Sequence, residues 1–225
     1  RCGSKELFSK FRELGVPVGK KSDQTYSVPL WIMQGSLEIQ KQFLKAFLGG
    51  DGPAITIDVR TRPDKERQNT VRINNIEFYK RVDLVENGIL FAEEICSLLE
   101  RQEVIVTKIF SRGQFKRKNG TVSTSIHVKI STSIKSALAY GKIVFSYCHH
   151  KCDRARKAVL FLEKIDQTRK IWREKYATAL NLYNTGSNLK SISQELNMSY
   201  QTIFGWVKKG KEPTVNYHKI KFDKW

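Results

Sequence analysis

One stretch of this chain has the residue types and spacing for metal-assisted chemistry on phosphate: Leu44-Lys45-Ala46-Phe47-Leu48-Gly49-Gly50-Asp51-Gly52. Ala46, Gly49 and Gly50 are small enough for another helix to approach closely. Asp51 falls just past the expected helix C-terminus, where the peptide dipoles disfavour an anion by about 0.3–1 kcal/mol. Helix stability therefore does not select it, whereas a bound Mg²⁺ would offset the penalty, because that ion is held by one or two carboxylates plus phosphate oxygens. The plain alternative is an Asp-Gly turn leading into a strand. Cys148-His149-His150-Lys151-Cys152 also offers ligand types, but four side chains within five residues cannot converge on one ion. A further cluster lies near the end. Tyr200, Gln201 and Thr202 open a short helix where side chains can reach base edges, and Lys208, Lys209 and Lys211 follow it as phosphate contacts.

The charge balance points the same way. The 225 residues carry 40 Lys+Arg against 22 Asp+Glu, a net charge of +18. Residues 1–110 hold 17 cations and 15 anions, whereas residues 111–225 hold 23 and 7. Such asymmetry implies a polyanionic partner, nucleic acid before others. At 40% hydrophobic residues the chain can build a core, which excludes a disordered basic tail. No apolar run is long enough to span a bilayer and no signal-peptide pattern is present, so a soluble, intracellular protein without a membrane partner is expected. Four scattered cysteines do not make a disulfide framework.

These residues need elements to position them. Leu7, Phe11 and Leu14 mark a short helix ending at Gly15, and residues 16–35 read as an ordered connector. Ser36 is the expected N-cap of a helix that places Ile39, Phe43, Leu44, Phe47 and Leu48 on one face and stops at Gly49-Gly50. Strands are expected at Ala54–Arg60 and Val71–Tyr79, the second slipping near Asn74-Asn75. A helix over Ile89–Glu100, with Leu90, Ile95, Leu98 and Leu99 inward, precedes a hairpin of Val104–Phe110 and Thr121–Ile130. A short helix follows near Ser133–Tyr140. The order α-β-β-α-β-β-α implies an α+β sheet covered on one face. On its open face Thr121, Ser123, Ser125, His127 and Lys129 would form a polar ladder. Together with Thr56, Asp58, Arg60, Arg62, Arg72 and the hairpin tip Lys116-Arg117-Lys118, that ladder suits a sheet lying along a DNA groove. After residue 150 the chain becomes helical and basic, with Ile171, Tyr176, Leu180 and Tyr183 expected inward. Two short helices meet at Asn197, one of the few residue types tolerant of positive φ, around Ile192, Leu196, Ile203 and Val207.

LKAFLGGDG resembles the signature of the LAGLIDADG homing endonucleases, with Asp51-Gly52 on its final acid-glycine pair. LGVPVGKKS at 14–22 and VPLWI at 28–32 resemble the segment between the two motifs of the intein-borne branch, and the element order matches one half of that fold. The resemblance covers about residues 5–165. It implies a curved antiparallel sheet forming half a saddle over double-stranded DNA. Residues 192–209 separately resemble a helix-turn-helix of the resolvase or repressor sort, which gives a small all-α domain after that half. The LAGLIDADG resemblance further implies a divalent cation, Mg²⁺ or another, at Asp51 and Gly52, and a second aspartate from a partner motif lying upstream or in a second chain. Lys151 resembles the basic residue that this family places near the site. The corresponding divisions are a connector over 1–35, the endonuclease domain over 36–165, the helix-turn-helix over 166–211 and a tail over 212–225. The expected activity is metal-dependent, site-specific hydrolysis of both DNA strands. The alternatives are a regulator that binds without cutting and an RNA maturase on the same scaffold.

Overall fold

The structure, a computed structural model, describes residues 4–62, 65–145 and 149–215, and the side chains of all these except 59–62, 65–68 and 149–150. Residues 216–225 of the expected tail lie outside the described residues. The chain divides into two compact units, one of residues 1–58 with 71–159 and one of residues 59–70 with 160–225. Among the described residues no helix is long and apolar enough to cross a membrane.

The first unit begins with α1 (Lys5–Glu13), capped by Ser4 and followed by Gly15 at φ +86°. The connector contains a 3-10 turn at Lys21–Asp23 and the short helix α2 (Leu30–Met33). Ser36 caps α3 (Leu37–Gly50), its hydroxyl accepting from the Ile39 amide at 3.4 Å. The helix is rotated from the expected phase. Its buried stripe is Gln40, Leu44 and Leu48, and Ile39 is exposed. Gln40 can enter the core because its amide nitrogen donates to the carbonyls of Met33 and Gly35, at 2.9 and 3.0 Å.

Strands β1 (Ile55–Arg62) and β2 (Lys65–Ile73) form a two-stranded sheet of their own. The expected strand over Val71–Tyr79 is in fact two, because Asn74-Asn75 separates β2 from β3 (Ile76–Arg81). A turn at Val82–Leu84 leads into α4 (Val85–Arg101), which buries Phe91, Ala92, Ile95, Leu98 and Leu99 and leaves Leu90 outside. β4 (Val106–Lys116) and β5 (Val122–Ile130) follow, then α5 (Ile134–Val144). The main sheet runs β3-β5-β4, all antiparallel, with β5 central. A single four-stranded sheet is therefore replaced by a pair and a triplet.

On the inner face of the triplet, Ile76 and Phe78 lie opposite Val128 and Ile126, and α4 covers them. Lys80 shares that face and is fully buried. Its ammonium donates to Gln24 O at 2.6 Å and Asn87 Oδ1 at 2.9 Å and sits 3.7 Å from the Tyr26 ring centroid. Burial pushes its pKa down to about 8.

Helix α6 (His149–Asn184) belongs to the first unit up to Val159 and to the second from Leu160. Its later turns, α7 (Leu189–Glu195) and α8 (Tyr200–Lys209) share a core of Ala179, Ile192, Ile203 and Trp206. Leu196 and Val207 pack on that core as expected, partly buried. The inward stripe of α6 is Trp172, Tyr176, Ala179 and Tyr183, whereas Ile171 is exposed. Asn197 joins α7 to α8 at φ +48°, the conformation its side chain tolerates. Asn188 and Ser199 cap the two helices, and Gly210 closes α8 in the left-handed conformation.

Candidate functional site

Asp51 is the C-cap of α3, and its amide still donates to Phe47 O at 2.8 Å. Its carboxylate is about half exposed and bonds the Lys21 ammonium of the connector at 3.1 Å. An anion at a helix C-terminus is opposed by the dipole, and one cation beside it is the local remedy. A second cation serves the helix end itself. Lys151 Nζ donates to the carbonyls of Leu48, Gly49, Gly50 and Gly52, at 3.3, 2.8, 3.1 and 2.6 Å. Lys151 thus caps the carbonyls at the end of α3, on either side of Asp51. The last of these bonds occupies the carbonyl of Gly52, a residue expected beside the metal. Gly52 has a separate reason to be glycine: a Cβ there would lie 2.7 Å from the Leu48 backbone.

Asp51 stands on the rim of a groove of about 1530 Å³. Its walls include Phe11, Val16, Ile39, Phe43, Ala46, Phe47 and Phe91, so of the α3 residues expected in the core Ile39, Phe43 and Phe47 line this groove, while Leu44 and Leu48 are buried as expected. Tyr26 also lines it. Burial, and secondarily the charge of Asp51, push the Tyr26 phenol up to about 12. Among the described residues no group of three His, Cys, Asp or Glu side chains could hold a metal. Asp51 by itself supplies one carboxylate, which is half of what a bridging divalent site uses.

The expected polar ladder on β5 is differently placed. Ser123, Ser125 and His127 are buried at 0–7% exposure, and of that row Lys129 alone is exposed. The cause is the central position of β5. Cross-strand partners stand side by side on one face, so Glu77, Tyr79 and Arg81 flank the row from β3, and Phe110, Arg112 and Phe115 flank it from β4. Small side chains between two ranks of large ones lose their access to solvent. Ser125 Oγ donates to Arg112 O at 2.9 Å and pairs with His127 Nε2 at 2.8 Å, while the His127 ring stacks on Phe110. Tyr79 and Phe115 meet edge to face across the row and remain 46% and 42% exposed. The walls, and not the floor, are what this face presents; only the strand register reveals them.

The remaining candidates of the first unit scatter. Thr56 is half-buried, and Asp58 is paired with Arg72 at 3.1 Å. Arg60 and Arg62 lie outside the described side chains. Lys116 and Lys118 are exposed at the β4–β5 turn, whereas Arg117 folds back onto Ser22 Oγ and Asp23, at 2.8 and 2.9 Å. In the second unit Tyr200 and Gln201 are exposed on α8, while the Thr202 hydroxyl is engaged with Ser199 Oγ at 2.8 Å as part of the cap. Lys208 bonds Tyr183 Oη, and Lys209 lies 5.5 Å from the Phe204 ring.

No family model matches the chain. It is 28% identical over 195 residues to the tRNA-splicing ligase RtcB of Methanocaldococcus jannaschii, and 25% identical over 210 residues to the protein of that name from Pyrococcus furiosus. It is also 27% identical over 202 residues to the replication factor C small subunit of Methanocaldococcus jannaschii. The alignments cover 87%, 91% and 88% of this chain but 18%, 20% and 10% of those proteins. The chain therefore spans a fifth or less of the length of these relatives. Among solved structures, the homing endonuclease I-CvuI in complex with its target superposes with a TM-score of 0.32 at 16% identity, over 80% of this chain and 89% of that one. A likeness of that degree is too slight to carry a functional conclusion.

Proposed function

We propose that this chain is the second-motif part of a site-specific double-strand DNA homing endonuclease of the LAGLIDADG type, carried by an intein, whose α7–α8 pair acts as a helix-turn-helix that lengthens the footprint. The observation that carries the reading is Asp51. It is a half-exposed carboxylate held against a helix dipole on the rim of a groove, with a displaceable lysine as its counter-charge. The alignments support the intein part. Nearly the whole chain matches a small portion of two proteins with unlike names, as an inserted module would and a shared host activity would not.

Asp51 is the proposed ligand of a divalent cation, which when bound supplies an activated water and charge stabilisation at the scissile phosphate. The partner acid would come from the other motif, upstream or in a second chain, with its helix seated against the groove-facing stripe of α3. Small Ala46 and Gly50 are exposed there, as a close helix approach requires. In this reading Lys151 fixes the end of α3, and Lys21 yields the carboxylate and turns to the phosphate. Lys116, Lys118 and Lys129 would follow the backbone of the duplex.

The test uses the chain within its full reading frame, Mg²⁺ and a plasmid library of random inserts. Double-strand breaks concentrated at one sequence are expected. Tight duplex binding with no strand break at any Mg²⁺ concentration would leave the second reading, a DNA-binding regulator that does not cut. The Lys21–Asp51 ion pair favours that alternative, since it satisfies the carboxylate without a metal.

A further inference from the structure

Helix α8 keeps two large aromatic rings outside while burying Ile203 and Trp206. Tyr200 and Phe204, 51% and 37% exposed, are stacked on each other with centroids 6.4 Å apart and planes 22° apart. Next to Phe204 stands Gly205. Glycine is the least helix-favouring residue after proline, so its presence inside a helix needs a reason. Among the described residues the fold supplies none: a Cβ at position 205 would meet only Lys211 Cδ, at an ordinary 3.9 Å. A close approach from outside the chain would explain it. Gly205 lies in a cleft of about 580 Å³ whose walls include Gln201, Phe204, Lys209, Lys211 and Glu212.

The chemistry of that cleft matches a base-pair edge. A glutamine amide offers one donor and one acceptor, the complement of adenine N7 and N6 in the major groove. A flat apolar ring beside it complements the thymine C5-methyl group, the one apolar feature of that groove. The ammonium groups of Lys208, Lys209 and Lys211 complement flanking phosphates. We propose that the α8 cleft reads an A·T pair, with Gln201 on the adenine edge, Phe204 braced by Tyr200 on the thymine methyl, and Gly205 as the positioning residue that lets the pair come close enough. This rests on the reading of α7–α8 as a duplex-DNA module. It replaces Thr202 with Phe204 among the base-reading residues, since the Thr202 hydroxyl is already engaged in the cap.

The experiment is a selection of duplexes from a randomised library with the full chain, followed by affinity measurements on the enriched duplex with single thymines replaced by uracil. At one position, loss of the methyl should weaken the wild-type chain about fourfold, the worth of one buried methyl group. Phe204→Ala should bind the thymine and uracil duplexes equally. Gly205→Ala should bind about tenfold more weakly while melting at the same or a higher temperature, since alanine is the better helix former. That split separates an external approach from a structural role. An enriched duplex with no uracil penalty anywhere, or a Gly205→Ala chain that binds like the wild type, would overturn the A·T reading and leave the DNA module standing. Failure of any duplex to enrich would overturn both.

Discussion

The central strand β5 and the helix α8 both carry a short row of side chains facing away from a core, yet they present them differently. On β5 the row Ser123-Ser125-His127 is walled in by neighbours one strand spacing away on each side. On α8 the row Tyr200-Gln201-Phe204 stands on a convex cylinder, and its members stay open. The lesson is geometric. A sheet exposes what is large on its flanking strands, whereas a helix exposes whatever its outer stripe contains. A small polar residue on a central strand is walled in by its cross-strand neighbours before it is available to a ligand.

That contrast can be broken or sharpened by substitution. Asp51→Asn, at the first unit's proposed chemistry, is expected to lower cutting by at least about a hundredfold, the scale for removing a group that acts on transition-state charge. Duplex affinity should stay nearly constant; a parallel loss of affinity in a filter-binding titration would make Asp51 structural. Removing residues 169–225 takes α8 and its lysines from the interface. The slope of log affinity against log salt should then flatten by roughly 0.9 for each phosphate that is no longer neutralised. An unchanged slope would return the whole footprint to the sheet.

Gly52→Ala should destabilise the first unit by about 1–3 kcal/mol through overpacking against Leu48, read as a lower denaturant midpoint. Lys151→Met should cost about 1–2 kcal/mol, because four carbonyls at a helix end are left without their cation. If Lys151 acted in chemistry alone, cutting would fall and the melting temperature would not.

The effect that varies with pH belongs to Lys80. Its folded pKa of about 8 lies below the ordinary lysine value, so the unfolded chain binds the extra proton between about pH 8 and 10.5. Its burial therefore opposes folding fully below pH 8, and the opposition fades as pH rises through that window. Lys80→Met should thus gain its largest relative stability near neutral pH and progressively less toward pH 10.5, in paired thermal melts.

Periodicity and capping residues made most elements legible in the sequence. Ser36 bonds where its type says it should, and Asn197 takes its positive φ. Phase was less legible than existence. α3 has two apolar stripes, and the sequence does not say which one meets the core when a glutamine with two carbonyl partners can enter it. The Asn74-Asn75 break looked like a bulge, since a strand end and a bulge share residue types. Asp51 was visible as an anomaly of one helix. Its ion-pair partner Lys21 is 30 positions away, so only the folded chain brings that lysine to it.

The segment before α3 reads by composition as an ordered connector, and its order has a source in α4: the Tyr26 amide donates to Asn87 Oδ1 at 3.1 Å and the Val28 amide to Glu94 Oε2 at 2.6 Å. Lys80 and Arg117 grip the same stretch from β3 and from the β4–β5 turn. Amide protons that a tether would surrender to deuterium at once are here tied to α4. The exchange of Tyr26 and Val28 should follow the opening of that helix, making the connector kinetically a part of the core it passes over.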